Sequence, residues 1–336
     1  MRTLLLLPAL LLPACTDGAG DVDPRWRASQ IRASDAAVGF FATPPMAVAD
    51  TADTARATGR VSSVSVETSR DGSTWDEVAD VDWVESGPFA LDLVMVADNS
   101  GSEAAWLDEI IEAISEFGDL ILTRSPDDRV GLVRVSTVAS VLTELTSDAE
   151  VFAEAAGEMY ENEGWTALWD GIRLGNEVLE QGALVSESSA DALSVCVDEH
   201  YRALLTYTDG DDNNSADEHD TRYEGDGIDT TLEDVEALTV HEVATPVHTV
   251  AVGAEVDVET LEEVSSVTGG RHVEIDRYHT LRGTLQSAAS AFERTIPVCF
   301  VVEDCDAVLA RVTVETLEAG ESTTEIFEVD LPPVCR

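Results

Sequence analysis

The sequence contains no lysine: its 19 basic residues are all arginine and face 67 acidic ones in a chain of 336, a formal charge of −48. A partner for nucleic acid or for an anionic membrane surface needs a basic face that displaces counterions, so this balance excludes both roles. No Cys-x-x-Cys pair supports a zinc site, no second histidine follows His241-Glu242 at the spacing of a zinc-protease helix, and no Gly-x-Ser-x-Gly elbow is present. Disorder is excluded as well, because 44% of residues are hydrophobic and core-like segments alternate with polar ones. The length suits one domain of about 200 residues with additions. The acidity itself reads as solubility, salt tolerance, cation attraction or a habit of the proteome, and names no function.

The N-terminus sets the expected compartment. Met1-Arg2-Thr3 is a short basic start and Leu4 to Leu12 is apolar apart from Pro8. That run is too short for the roughly 20 residues a membrane helix needs, so it reads as a signal-peptide core. It ends in Leu11-Leu12-Pro13-Ala14-Cys15, which resembles the lipobox of bacterial lipoproteins. The resemblance implies lipidation of Cys15 after removal of residues 1–14, with an ordinary secretory signal as the alternative. Thr16 fits sorting to the outer rather than the inner membrane. Either way the mature protein is exported and touches a membrane only through its N-terminal anchor. Removing Cys15 leaves Cys196, Cys299, Cys305 and Cys335 as disulfide candidates in an oxidising compartment, with three connectivities open.

Residues 15–60, rich in Ala, Asp, Thr, Arg and Pro, show no sustained period and read as a flexible tether, with Phe40-Phe41 as stray aromatics. The segment 61–86 has the pattern strand, Asp71-Gly72 turn, strand. A second hairpin, Val308 to Thr316 and Thr324 to Val329, falls in a segment 297–336 expected to be stapled by disulfides, and the two hairpins together suggest a small β unit. Between them, over 88–296, strands and helices alternate. Ala90 to Val96 is a nearly continuous apolar run, and Trp106, Ile110, Ile114, Phe117 and Ile121 recur at helical spacing. Further strands are expected at Arg129 to Val135, Ser140 to Leu145, Tyr201 to Tyr207, Val247 to Val252 and His272 to Ile275. Alternation of this kind predicts a doubly wound α/β fold, Rossmann-like, with a mostly parallel sheet and helices on both faces, whose ligands bind at the carboxyl ends of the strands.

Three loops at such ends carry the chemistry. Asp98-Asn99-Ser100-Gly101-Ser102 follows the first long strand, Gly164-Trp165-Thr166 precedes a helix, and Thr208-Asp209-Gly210 follows a central strand. Two carboxylates and three hydroxyls form an all-oxygen donor set suited to a hard divalent cation, and so small a negative charge leaves the ion electrophilic towards a carboxylate of another molecule. The motifs, with Val250-Ala251-Val252-Gly253 and Thr268-Gly269-Gly270, look like a von Willebrand factor A-type domain over about Phe89 to Thr295. The resemblance implies a metal-ion-dependent adhesion site in which Ser100, Ser102 and, in one state, Thr166 bind the ion directly while Asp98 and Asp209 act directly or through water. The ion expected is Mg²⁺, with Mn²⁺ or Ca²⁺ as alternatives, and the partner a protein offering a carboxylate. An insertion at about 182–199 and an acidic loop at 211–229 depart from the pattern.

Each residue has a plainer reading. Asp98 and Ser102 alone resemble a helix cap, and Asp209-Gly210 alone a turn. The acidic loop, lacking EF-hand spacing, reads as solvated, and His241 and His248 as surface or helix-end residues. In order and at strand ends, the three loops favour the metal. The expected function is therefore a non-enzymatic binding module of the cell envelope. A metal-dependent hydrolase or phosphatase and a purely structural envelope protein are the rivals. The hydrolase is weakened because Ser100 stands where a second carboxylate is usual and because no basic residue lies in the three loops. The sequence leaves the oligomeric state open.

Overall fold

A computed structural model describes residues 26–34, 37–46, 60–83, 89–160, 164–183, 200–215, 229–254, 256–318 and 321–332. The leader, Cys15, Cys196, Cys335, residues 184–199 of the insertion and 216–228 of the acidic loop lie outside the described residues.

The chain first forms β1 (Arg27–Ser34), β2 (Ala37–Thr43), β3 (Arg60–Ser69), β4 (Asp76–Glu77) and β5 (Val81–Trp83). The central part runs β6 (Ala90–Asp98), a 3₁₀ turn (Gly101–Trp106), α1 (Leu107–Leu122), β7 (Arg129–Val135), β8 (Ser140–Thr146), α2 (Ala149–Gly157), α3 (Leu168–Ala183) and β9 (His200–Thr208). It continues with α4 (Leu232–Glu236), β10 (Thr239–Val240), β11 (Val243–Ala244), β12 (Val247–Val252), α5 (Val258–Thr268), β13 (His272–Ile275) and α6 (Leu281–Glu293). Strands β14 (Ile296–Val301), β15 (Leu309–Glu318) and β16 (Glu321–Asp330) complete it.

The expected α/β sheet is present, in the order β13-β12-β9-β6-β7-β8, parallel except for β8. Burial of β6 on both faces explains its apolar run. Leu91, Leu93, Met95 and Ala97 pack towards α1, α2 and α6, while Val94 and Val96 face α3 and α5. The strand order reverses between β6 and β9, so the crevice of the fold opens where Asp98 and Asp209 leave the sheet. Helix α3 lies close to the strands because residue 171 is glycine: a Cβ there would stand 2.3 Å from Val135 Cγ2.

The tether expectation fails for two stretches. Residues 27–34 and 37–43 are strands, and the sheet β1-β2-β14-β5 packs on the sheet β16-β15-β3-β4. Alternation within β2, masked by surrounding Ala, Thr and Pro, is the reason. Val38, Phe40 and Ala42 point into the β sandwich, whereas Phe41 meets Phe89 and Tyr201 of the α/β core. The two hairpins do join into one sheet through β3 and β15. Cys299 and Cys305 are disulfide-bonded.

His248 is also misread by its sequence context. It is fully buried on β12: its Nδ1 accepts the Arg271 backbone N–H at 3.1 Å, and its Nε2 lies 3.1 Å from the Tyr201 hydroxyl. Its ring also stands edge-on to Phe292, with centroids 5.0 Å apart, and so belongs to the packed interior. Burial, aided by Arg271, pulls its pKa down to about 3. The ring is therefore neutral when folded, with stability fully present above the unfolded value near 6.5 and lost as pH falls from there towards 3.

Two outcomes test this packing. Phe40→Ala should lower unfolding stability by about 3–5 kcal/mol in urea titrations, where a residue of a flexible tether would leave it unchanged. Between pH 7 and pH 5 the wild type should lose up to about 1.4 kcal/mol per pH unit relative to His248→Gln, read from the same titrations at both pH values.

Candidate metal centre

Strand β6 ends at Asp98, whose carboxylate is fully buried and already engaged. Oδ1 accepts the Ser100 backbone N–H at 2.9 Å, and Oδ2 accepts the Thr208 hydroxyl from the end of β9 at 2.6 Å. The 3₁₀ turn then carries Ser100 and Ser102 back over the strand end, with their hydroxyls 3.2 Å apart. Ser102 donates to Asp209 Oδ1 at 2.7 Å, which links Asp98, Ser100, Ser102 and Asp209 into one chain of contacts. The third loop arrives through a two-way clamp: the Thr166 N–H donates to Asn213 Oδ1 at 2.8 Å, and the Asn213 N–H donates to the Thr166 carbonyl at 2.9 Å. Thr166 Oγ1 lies 3.9 Å from the point where a Cβ of Gly210 would stand, so it borders the same loop. All five residues expected from the sequence thus gather at the carboxyl ends of β6 and β9.

Glu103 joins them, although the sequence reading passes over it. Its side chain is fully buried, and one ligand atom each from Asp98, Glu103 and Asp209 lies within 4.8 Å of the others. The signal in the sequence is an acidic residue directly after Ser102, on a turn whose hydroxyls face the site. Tyr278 donates to Glu103 Oε1 at 2.7 Å. Tyr207 gives its single hydroxyl proton to the Asp98 carbonyl at 2.6 Å and also lies 3.4 Å from Glu103 Oε2, a contact that a protonated Glu103 completes. Burial, then repulsion from Asp98 and Asp209, pushes the Glu103 pKa well above the ordinary carboxylate range. Burial also pushes Asp98 up to about 6, and Asp209 adds to the effect.

The charge balance tests whether these residues fit a cation. Five acidic side chains are buried among the described residues: Asp92, Asp98, Glu103, Asp128 and Asp170. Asp92 meets Arg129 at 2.8 Å, Asp128 meets Arg124 at 2.6 Å and Asp170 meets Arg173 at 4.0 Å. Asp98 and Glu103 meet hydroxyls, backbone N–H groups and further carboxylates instead. Buried carboxylates crowded together in this way, beside hydroxyl oxygens, fit a hard divalent cation.

The acidic loop is partly structural rather than solvated. Asp212 Oδ1 accepts the N–H groups of Leu168 at 2.7 Å and Trp169 at 3.2 Å, and so caps α3 and fixes the loop that carries Thr166.

A carboxyl group whose folded pKa is raised costs stability when ionised, and that cost is relieved as pH falls through about 6 towards 3.8. Asp98→Asn should therefore stabilise the EDTA-treated protein at pH 7.5 by about 1–3 kcal/mol and remove any rise in melting temperature on adding Mg²⁺, both read by thermal unfolding.

Residues 93–210 match the family model of the von Willebrand factor type A domain. No curated protein matches the chain. Among solved structures, a von Willebrand factor type A protein from Catenulispora acidiphila shares 10% identity, with a TM-score of 0.45 over 92% of this chain and 74% of that one. The vWF domain of the type V pili tip protein Mfa5 from Porphyromonas gingivalis shares 11%, with a TM-score of 0.43 over 62% of this chain and 96% of that one. Proximal thread matrix protein 1 from the mussel byssus, solved with a zinc-occupied MIDAS motif, shares 15%, with a TM-score of 0.43 over 66% of this chain. This chain spans 50% of that mussel protein. The segment 93–210 is thus matched as a von Willebrand factor type A domain, set in a mixed α/β fold with a mostly parallel sheet.

Proposed function

We propose that the protein is an exported, lipid-anchored envelope protein that binds a divalent cation, Mg²⁺ in the first instance, through Asp98, Ser100, Ser102, Thr166 and Asp209. Through that cation it grips an acidic side chain of a protein partner. The observation that carries the reading is the gathering of Asp98, Glu103 and Asp209 within 4.8 Å, next to the Ser100 and Ser102 hydroxyls. With Glu103 neutral, Asp98 and Asp209 balance the ion's charge, and the hydroxyls leave it able to accept a further carboxylate. Exposed aromatics flank the same face: Trp106 precedes α1, Tyr160 takes a hydrogen bond from Asn99 on its carbonyl, and Trp165 adjoins Thr166. Such residues commonly anchor protein interfaces. Export is supported by the lipobox-like Leu12 to Cys15 and by the disulfide-bonded state of Cys299 and Cys305.

Calorimetric titration of the EDTA-stripped protein with Mg²⁺ or Mn²⁺ should show one site, lost in Asp98→Ala. Capture of an envelope partner should need Mg²⁺ and be lost in the same variant. Capture that persists in EDTA would overturn the reading, as would Mg²⁺-dependent turnover of p-nitrophenyl phosphate that Asp98→Ala abolishes.

A further inference from the structure

At the amino ends of the parallel strands, opposite the metal centre, a groove of about 560 Å³ lies between the β sandwich and the turn that leads into β13. Two of its walls are edge strands: β1, the end of one sandwich sheet, and residues 327–330 of β16, the end of the other. The β10–β11 turn at Glu242 and the last turn of α5 close a third side. Trp26, Phe327 and Val329 are buried at its base, and Val267 stands exposed on its lip. Glu242, Glu328 and Asp330 are exposed along it. Among the described residues Arg27 is the one basic residue lining it, and its guanidinium donates to the Gly270 carbonyl at 3.2 Å.

The two edges are not equivalent. Strand β1 breaks register between Ser29 and Arg32, where Gln30 takes a φ of 53° and sends its side chain inward to the Arg202 carbonyl. Such a bulge interrupts a pairing edge. Strand β16 pairs with β15 without a break from Glu321 to Asp330, and among the described residues no strand pairs with its other side. It therefore offers a regular row of backbone donors and acceptors beside the groove.

We propose that the outer edge of β16 takes an extended segment of a partner protein as an added strand, and that this segment is basic at alternate positions. Main-chain hydrogen bonds supply the pairing, and the side-chain period of two sets the pattern. Residues opposite Phe327 and Val329 turn to the buried base of the groove and are apolar. Residues opposite Glu328 and Asp330 turn to the outer face, where lysine or arginine forms a cross-strand charge pair. An acidic strand is repelled at both positions. So is a second copy of β16, which carries Glu321, Glu325, Glu328 and Asp330. The chain's own segment 16–25 carries Asp17, Asp21 and Asp23 and matches no better. The site needs no cation and is independent of the metal centre.

The test titrates ¹⁵N-labelled protein with the capped peptide Lys-Val-Lys-Val-Val and its reverse, which cover the antiparallel and parallel registers. Salt at about 0.15 M screens diffuse attraction. One peptide should shift the amide signals of Phe327 to Asp330 saturably, at least fivefold more tightly than its counterpart with glutamate for lysine. Methylating alternate backbone nitrogens of that peptide should weaken binding at least tenfold in one frame and less than twofold in the other, because only every second N–H points to the paired strand. Glu328→Gln with Asp330→Asn, two exposed changes, should weaken binding at least fivefold. No saturable shift of β16, equal binding in both methylation frames, or equal binding of the glutamate peptide would overturn the proposal. A dimer in sedimentation that the lysine peptide dissociates would assign the edge to a second copy. Peptide binding that tightens at least fivefold on deleting residues 16–25 would assign it to the chain's own segment. Either result overturns the partner strand.

Discussion

Burial of the Asp98 and Glu103 carboxylates next to Asp209, with repulsion adding to the cost, is the constraint around which the top of this fold is arranged. Three carboxylates share a space of 4.8 Å, two of them fully buried, whereas the other buried acids among the described residues meet arginine. Asp92 shows what that pairing achieves. Burial opposes its charge, yet hydrogen bonds from His200 and Arg129 hold its pKa below the ordinary value. At the opposite end of the same strand, Asp98 lies among hydroxyls and carboxylates and its pKa rises to about 6. One strand thus carries a neutralised acid at its base and a destabilised one at its tip.

The scaffold places that repulsion where a ligand can relieve it. The crevice between β6 and β9 is the point where the strand order reverses, and the three loops there are tied to one another. Asp212 caps α3, Asn213 clamps Thr166, and Thr208 bridges β9 to Asp98. The loops are therefore positioned before any ligand arrives, which reduces the ordering cost of binding.

Much of this is legible in the sequence. The apolar run of β6, the helical spacing in α1 and the order of the three motifs are enough for the α/β sheet and for the meeting of the five candidate residues at one strand-end crevice. Three features are not legible, each for a physical reason. Strand β2 hides its period of two because Phe40 and Phe41 face different cores, the first the β sandwich and the second the α/β domain. His248 lacks any local sign that Tyr201 and Arg271, distant in sequence, complete its hydrogen bonds. Glu103 resembles the many surface glutamates until the 3₁₀ turn folds it beneath Tyr278.

The most direct test of the central claim is a crystal structure of the protein soaked in Mn²⁺, read by anomalous scattering. The account predicts a single strong peak within ligand distance of the Ser100 and Ser102 hydroxyls, between Asp98 and Asp209. An empty crevice at saturating Mn²⁺, with Ser102 still donating to Asp209, would contradict it.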